Sequence, residues 1–393
     1  MVSQLVLATR LTEDPQVQVL VLEAGEDLTA DPRVNVPAMW VQLTGSPADW
    51  QFKTSPQQAL GGREMAFPQG RLLGGSSALN TMLFIPSTKS NLDMWAKLGN
   101  QGWDSASLSA SLEKVYILHS ATPTPSAKEG HGTIHASIPQ EDSKWPQVWR
   151  DTIAGLGFSV DNDPFSENVC GAVSYPESID PKSKTRSYPV NEYLGPARSR
   201  PNLTVWTSAT VEKVLFSSCR DANEQPTATG VQYISNKDGQ TLTGQQVVAR
   251  KEVILSAGTI NTPRILELSG VGDAARLKAL GIPVVVDNSF VGENLQNHIL
   301  VPMSFETAPG AGEGFETIDG LSRQDPAALA AAMEAYGRLD RFPSPIPTSR
   351  HKCLFRESLQ NKGSAIWNTL FVPLLEQISP TQAPRRTPTM KRR

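Results

Sequence analysis

The amino-acid sequence predicts an α/β fold in which helices cover parallel strands. The first observation is VQVLVLEAG at residues 17–25, a nearly continuous apolar run that ends in an acid and a glycine. Such a run is typical of a central parallel strand, because helices cover both of its faces. The second is VILSAGTINTPRILELSGVG at residues 253–272, where a strand, a glycine turn and a helix follow one another. Because the pattern recurs at both ends of the first 300 residues, we expect one α/β domain assembled from distant parts of the chain.

Around the first strand, the N-terminal part of the chain is predicted to be helical and irregular. Apolar residues at helical spacing predict a helix over 5–11, and Pro, Gly and Trp make 30–70 an irregular segment. Two helices are expected at 88–100 and 105–120, and Gly99 suits the end of the first.

Residues 121–145 are polar and contain proline, which predicts a loop region. The segment 144–158 that follows is predicted to be a helix that ends near Gly155 to Gly157.

The pattern changes to short β runs between residues 200 and 256, which predicts a strand meander with KDGQ at 237–240 as a hairpin turn. After it, Thr262 is expected to cap a helix whose first position is Pro263. A helix at 274–280 should stop at Gly281, and IPVVVDN at 282–288 is predicted to be a strand.

The signal weakens toward the C-terminus. Residues 325–339, DPAALAAAMEAYGRL, are predicted to be a helix. From residue 341 onward Pro, Ser, Thr and Arg dominate, so this tail is predicted to be disordered.

Composition excludes several classes of function. The formal net charge is -3 and the basic residues are scattered except in the last ten, so a nucleic-acid partner is not expected. Three cysteines without a close pair indicate neither disulfides nor a zinc site. No stretch approaches the roughly 20 apolar residues of a membrane span. Because the N-terminus lacks the pattern of a signal peptide, the chain as written is expected to be cytoplasmic, although a longer true N-terminus would leave secretion open.

Two features indicate a site for a dinucleotide. Glu23 stands at the carboxyl end of a predicted strand, where open α/β sheets bind ligands and where an acid accepts hydrogen bonds from ribose hydroxyls. The loop GRLLGGSSALN at 70–80 has paired glycines that allow close backbone approach and small hydroxyl side chains that leave room for a ligand. Glu23 could also be an ordinary surface acid, and the loop could also be a flexible surface turn. Neither feature alone therefore establishes a dinucleotide site.

The motifs together resemble the glucose-methanol-choline (GMC) family of flavin oxidoreductases. GRLLGGSSALNTMLF at 70–84 resembles the first family signature and GTINTPRILELSGVG at 258–272 the second. Three further segments match in family order: VLVLEAGED at 19–27, DMWAKLGNQGW at 93–103 and VGENLQNH at 291–298. The first signature is most similar to fungal members of the aryl-alcohol oxidase and dehydrogenase type.

The resemblance implies an FAD-binding Rossmann-like domain, lacking its first strand and glycine motif, with a partial antiparallel-sheet substrate domain. We expect the FAD-binding domain at 1–300 with inserted segments of the substrate domain, the start of the substrate domain at 301–340, and a divergent tail at 341–393. In register with the family, two motif glycines fall on Met1 and Gln4, and the Gln4 side chain is expected to obstruct the pyrophosphate.

The resemblance also implies the residues that hold FAD. Glu23 would bind the adenosine ribose, Val211 would meet adenine through its backbone, and the loop would contact the flavin and its diphosphate. The implied cofactor-binding residues are Glu23, Ala24, Gly74, Gly75, Ser76, Ser77, Asn80, Thr81, Met82, Leu83, Val211, Ala257, Gly258 and Asn294. Members with covalent flavin have a histidine before the asparagine; Leu79 stands there, so non-covalent FAD is expected.

Catalytic residues are not assigned, because the family's histidine and its His or Asn partner belong to a C-terminal segment that has no match in this chain. His298 lies in the flavin-side ENLQNH motif and is expected to have a structural role. His131 and His135 have a metal-like spacing, but Gly132 and β-like surroundings argue against one helical face and no third ligand is evident, so no metal site is expected.

The family activity is oxidation of an alcohol to a carbonyl, with hydride passing to the flavin N5 and electrons then passing to oxygen or another acceptor. A small-molecule alcohol is therefore the expected substrate, and the resemblance to fungal members implies a role in fungal secondary metabolism. Two alternatives stay open: a truncated, catalytically silent relative, and a lyase of the same fold that uses flavin structurally.

Overall fold

The computed structural model describes residues 2–120, 124, 130–138, 145–160, 163–165, 172–220, 225–237, 239–297, 319–337, 354–357 and 365–368. The α-helices are α1 (Val2–Leu11), α2 (Pro32–Asn35), α3 (Lys89–Lys97), α4 (Ser105–Leu112), α5 (Trp145–Gly155), α6 (Gly195–Ala197), α7 (Gly258–Leu268), α8 (Ala274–Ala279), α9 (Asp319–Ser322) and α10 (Pro326–Gly337). Three 3₁₀-helical turns span Pro37–Gln42, Gln58–Leu60 and Gly75–Ala78, and a π-helical turn spans Val190–Leu194.

The strands form small sheets. They are β1 (Val19–Leu22), β2 (Phe52–Lys53), β3 (Ala66–Phe67), β4 (Tyr116–Ser120), β5 (Ile134–Ile138), β6 (Leu203–Trp206), β7 (Ala209–Arg220), β8 (Pro226–Lys237), β9 (Gln240–Val248), β10 (Val271–Gly272), β11 (Val286–Asp287), β12 (Leu354–Glu357) and β13 (Ala365–Asn368). The pairs β1–β6, β4–β5 and β10–β11 are parallel, whereas β2–β3, β12–β13 and the three-stranded sheet β7–β8–β9 are antiparallel.

The parallel pair at the N-terminus confirms the first predicted strand but corrects its surroundings. Val21 is buried, whereas the other three residues of β1 are partly exposed, so the prediction of a strand covered on both faces is wrong. Among the described strands only β6 pairs with β1. The register is anchored by Asn202, whose Nδ2 donates to the carbonyl oxygens of Thr12, Asp14 and Val17 at 2.9–3.1 Å.

Several predicted helices are confirmed, with one boundary corrected. The helices at 5–11, 88–100, 144–158, 274–280 and 325–339 correspond to α1, α3, α5, α8 and α10. The helix predicted over 105–120 ends at Leu112, because Tyr116–Ser120 pairs with β5 as a strand. That strand partner lies within the stretch predicted to be a loop.

The predicted strand meander is confirmed only for β7, β8 and β9. The stretch 203–206 pairs with β1 instead, because the anchored Asn202 directs it into the parallel sheet. VILSAG is not a strand, since no described strand pairs with it. Its Val253 and Leu255 side chains nevertheless pack against the same buried cluster as Leu22.

The cap predicted at Thr262 is wrong. Helix α7 begins at Gly258, which has a φ of +87°, and Pro263 lies inside the helix. Asn261 and Ile265, one turn apart, are both buried, so packing against the domain extends the helix toward its N-terminus past the proline.

The main core joins the segments that matter for the site. It contains residues from α1, β1, the loop at 72–79 and the segment 188–197.

The tail predicted to be disordered contains the antiparallel pair β12–β13, and the rest of residues 338–393 lies outside the described part of the chain. His298 and residues 301–318 also lie outside it.

Candidate functional site

The carboxyl end of β1 places Glu23 in a buried position. Glu23 is 1% exposed, and its carboxylate accepts a hydrogen bond from the Gly25 backbone N–H at 2.9 Å. Its own N–H donates to Trp206 O at 2.9 Å, and its carbonyl oxygen accepts from Ala209 N at 2.8 Å. Strands β6 and β7 therefore fix the backbone on both sides of this carboxylate.

The glycine loop packs directly on this strand end. A Cβ atom on Gly25 would lie 2.1 Å from the carbonyl oxygen of Arg71, so no larger residue fits there. Leu73 N donates to Glu26 O at 2.9 Å, and Glu26 and Leu72 form a parallel bridge. Two segments about fifty residues apart in the sequence, both predicted as site elements, thus lie together.

Within the loop, the glycines are required by the protein's own packing. Gly74 and Gly75 have φ values of +93° and +57°, which favour glycine. A Cβ on Gly70 would lie 2.4 Å from the Gly75 backbone, and one on Gly74 would lie 2.9 Å from Val190 Cγ2. The closest neighbours of this backbone in the structure are therefore its own residues and the segment at 188–190.

The two loop serines also hold its shape. Ser76 Oγ accepts from Gly70 N at 3.1 Å, and Ser77 Oγ donates to Gly74 O at 2.8 Å. Both side chains are partly exposed, and a hydroxyl oxygen has lone pairs to offer in addition to these contacts.

The chain then passes through a strained turn. Asn80 and Thr81 are exposed, whereas Met82 is 1% exposed and has a φ of +61°, a conformation that side chains other than glycine and asparagine rarely adopt. Leu83 pairs with Glu177 in an antiparallel bridge. Glu177 also pairs with Ser137 of β5, so this turn connects the loop to the β4–β5 sheet.

A buried arginine that the sequence reasoning missed stabilises this turn. Arg186 is 1% exposed; its Nη1 donates to Ser77 O at 3.1 Å, to Asn80 O at 2.9 Å and to Asn80 Oδ1 at 2.6 Å. Burial lowers the pKa of Arg186 to about 10, which leaves it protonated at neutral pH. The signal in the sequence was an arginine just before YPVNEYL, a segment whose apolar residues are mostly buried.

The residues predicted to lie near the ADP part of FAD share an apolar cluster with β1. Val211 and Ala257 pack in one cluster with Leu22, and Gly258 follows directly as the first residue of α7. Ala24 is partly buried between Glu23 and Gly25. Asn294 belongs instead to the ENLQNH motif expected on the flavin side; it lies on an exposed turn with a φ of +56° whose Gly292 approaches Pro263 of α7.

Gln4, where the resemblance places a motif glycine, also reaches this end of β1. Its Nε2 donates to Leu22 O at 3.2 Å. The side chain thus contacts the residue that directly precedes Glu23.

His135, one of the two histidines with a metal-like spacing, is the partner of His119, a histidine to which the sequence assigned no role. His119 Nε2 and His135 Nδ1 lie 2.8 Å apart across β4 and β5, and the rings stack. His131, the other member of the metal-like spacing, is exposed. Within the part of the chain that the structure describes, no group of three or more His, Cys, Asp or Glu is arranged to hold a metal ion, and no helix is long and apolar enough to span a membrane.

Comparison with known proteins identifies the class. The family model described as GMC oxidoreductase matches residues 17–300. Dehydrogenase mpl7 of Monascus purpureus is 36% identical over 348 residues, which cover 85% of this chain and 53% of that protein. The chain therefore belongs to the GMC oxidoreductase family, a family of FAD-dependent enzymes, and the α/β fold and the predicted family membership are confirmed.

Solved structures agree with this assignment. An FAD-dependent oxidoreductase from Chaetomium thermophilum superposes with a TM-score of 0.76 at 30% identity, covering 88% of this chain and 58% of that one. A fungal aryl-alcohol oxidase gives a TM-score of 0.69 at 25% identity, covering 86% and 57%. The chain thus spans about half the length of the curated relatives it matches.

The residues present fit a flavin dinucleotide in three respects. A buried carboxylate ends a parallel strand, a left-handed glycine turn packs on that end, and Arg186 Nη2 is a buried donor with no hydrogen-bond partner among the described residues. An orphaned cationic donor beside a glycine loop suits an anionic cofactor.

Proposed function

We propose that this chain forms the FAD-binding part of a GMC oxidoreductase that oxidises a small alcohol. The observation that carries the proposal is the contact between the Glu23 strand end and the glycine loop, made through Gly25 and Arg71. This contact joins a carboxylate suited to ribose hydroxyls with a backbone suited to a diphosphate and a ring. The proposed cofactor residues are those that the resemblance implied, and the proposed domain bounds are 1–300, 301–340 and 341–393.

Bound FAD would supply a two-electron acceptor for the hydride that leaves the alcohol carbon, and oxygen or another acceptor would take the electrons onward. The residues of this chain would bind and orient the cofactor. Glu23 would accept hydrogen bonds from the ribose, and the rigid turn at 80–83 would hold the ring. Because Leu79 is 7% exposed and carries no nucleophile, we propose that the FAD is held non-covalently.

The finer proposal concerns the substrate. The similarity to a fungal aryl-alcohol oxidase supports an alcohol substrate, and we propose, from the resemblance of the first signature to fungal members of the family, that this alcohol belongs to fungal secondary metabolism. No residue of the chain is assigned as the base that removes the hydroxyl proton.

One alternative has support from a specific observation. Gln4 Nε2 donates to the carbonyl oxygen of Leu22, the residue before Glu23, which supports an alternative in which this side chain obstructs the pyrophosphate and the chain is a catalytically silent relative that binds flavin weakly. In that case Gln4→Gly should tighten FAD binding, whereas it should leave binding unchanged if the Gln4 side chain does not face the cofactor.

The test uses the full 393-residue chain, incubated with FAD and then desalted. Retained flavin absorbance supports the proposal, and an FAD titration followed by fluorescence quenching then gives a Kd. Glu23→Gln preserves an acceptor for Gly25 N but loses the charge, so we expect the Kd to rise by about tenfold or more.

Glu26→Gln is the matched control. Glu26 is exposed and contacts the loop through its backbone oxygen, so its substitution should leave the Kd unchanged. A folded wild-type chain that elutes free of flavin, or equal effects of the two substitutions, would contradict the proposal.

A further inference from the structure

Arg186 holds a buried positive charge with carbonyl groups rather than with an acid. Besides its contacts to the loop, its Nε donates to Val34 O at 2.9 Å. Among the described residues no carboxylate forms a salt bridge with it, and Nη2 is buried without a partner. A buried charge held by neutral acceptors is costly, so stability alone does not account for an arginine at this position.

The arginine determines which way the Asn80 amide points. Asn80 Oδ1 accepts from Arg186 Nη1 at 2.6 Å and from Met82 N at 3.1 Å. Because two donors meet this atom, it must be the oxygen, and the NH₂ group must lie at the opposite end of the amide. Asn80 is exposed, and no acceptor among the described residues contacts its Nδ2. The orientation of the amide is therefore fixed, with its NH₂ group available to donate a hydrogen bond to a ligand.

The same contacts hold the following turn in place. The bond from Met82 N to Asn80 Oδ1 closes the turn in which Met82 has its left-handed φ. Arg186 N also donates to Asn35 O at 3.0 Å, and Asn191 Nδ2 donates to Arg186 O at 3.1 Å, so the arginine backbone is anchored on both sides. The position of the donor is thus set by a rigid neighbour outside the loop.

We propose that Arg186 is a positioning residue for the flavin, acting through Asn80. It orients the Asn80 amide so that Nδ2 donates a hydrogen bond to an acceptor atom of the bound isoalloxazine ring. This inference rests on the proposed function. It adds a residue outside the loop, on the segment that carries Tyr188 and Val190, to the cofactor site.

The test distinguishes the loss of the Asn80 NH₂ donor from the loss of the Asn80 oxygen that binds Arg186. Asn80→Asp keeps an oxygen for Arg186 and adds an ion pair, so the fold should persist, but it removes the NH₂ donor. Asn80→Ala removes both. We expect both variants to raise the Kd for FAD by about tenfold or more, while Asn80→Asp retains the wild-type melting temperature.

The coupling between the two residues is measured by a double-mutant cycle with Arg186→Lys. Lysine keeps the charge but loses the forked donor geometry, so the single variant should weaken FAD binding. In the Asn80→Ala background the same substitution should change the Kd less than about twofold, because the residue through which it acts is gone.

Arg200→Lys is the control for a purely structural arginine. Arg200 is partly buried and donates to Thr9 O and Thr12 Oγ1 at the C-terminal end of α1. The Arg200→Lys substitution should lower the melting temperature without changing the Kd for FAD. Additive effects of Arg186→Lys and Asn80→Ala, or wild-type FAD affinity in both Asn80 variants, would overturn this inference and leave the proposed function intact. A wild-type chain that does not retain FAD would overturn both.

Discussion

Gly25 and Arg71 are packed so closely that a Cβ on the glycine would lie 2.1 Å from the arginine's carbonyl oxygen. The neighbouring atoms are backbone, so they have no rotamer with which to move away. We expect Gly25→Ala to separate the strand end from the loop, to lower the free energy of unfolding by about 1–3 kcal/mol and to abolish FAD retention. Urea unfolding and desalting after FAD incubation measure the two effects.

Gly155→Ala is the control for this substitution. Gly155 is in α5, has no left-handed φ, and a Cβ there would meet nothing within 4 Å. Alanine should therefore leave FAD retention unchanged and stabilise the helix by about 0.5–1 kcal/mol. Equal unfolding free energies and equal FAD retention in Gly25→Ala and Gly155→Ala would contradict the close contact between Gly25 and Arg71.

Leu72 supplies a test of the core beneath the loop. It is 1% exposed, belongs to the main apolar cluster and pairs with Glu26. Leu72→Ala should lower the free energy of unfolding by about 2–5 kcal/mol, because it removes buried methyl groups and leaves a cavity. Leu98→Ala, at a side chain 73% exposed, should change it by less than about 0.5 kcal/mol. Comparable urea midpoints for the two variants would contradict the burial of Leu72 in a packed core beneath the loop.

The stacked pair of His119 and His135 predicts a dependence of stability on pH. Burial, followed by the neighbouring His135, lowers the pKa of His119 below its ordinary value of 6.5, with Asp180 opposing the shift and Lys182 adding to it. The unfolded chain therefore binds the proton more readily than the folded chain. The contribution of His119 to the free energy of unfolding should be fully present above pH 6.5 and should be lost as the pH decreases through and below that value. Urea unfolding at several pH values measures the slope.

His119→Phe keeps a ring for stacking but removes the titration, so the acid slope of stability should become shallower. His131→Gln, at an exposed histidine, should retain the wild-type slope. An unchanged slope in His119→Phe would contradict this origin of the pH dependence. Glu192, whose pKa is raised by burial, lies near the same histidine pair and is present in the wild type and in both variants.

Local patterns predicted most of the elements, because amphipathic spacing and glycine caps are encoded within a few residues. The strand at 19–22, the hairpin at 237–240 and the helix ends at Gly99 and Gly281 follow from such signals. The parallel pairing of β6 with β1 could not be predicted in this way, because it depends on contacts between residues some 180 positions apart, such as Asn202 with Val17.

The residues of the candidate site could be proposed from the sequence only in part. The motif residues Glu23 and Gly74 were found by their position after a strand and within a glycine loop. Arg186 was missed because its role depends on the carbonyl groups of Val34, Ser77 and Asn80, which only the fold brings together. The pairing of His119 with His135 was missed for the same reason, since β4 and β5 were expected to be a helix and a loop.

Hydrogen–deuterium exchange with and without FAD tests the central claim most directly. If FAD binds where the β1 end meets the glycine loop, protection should appear together at residues 23–26 and 70–83, with no change at α5. Protection confined to other segments, or none at saturating FAD, would contradict the claim that these two elements form the cofactor site.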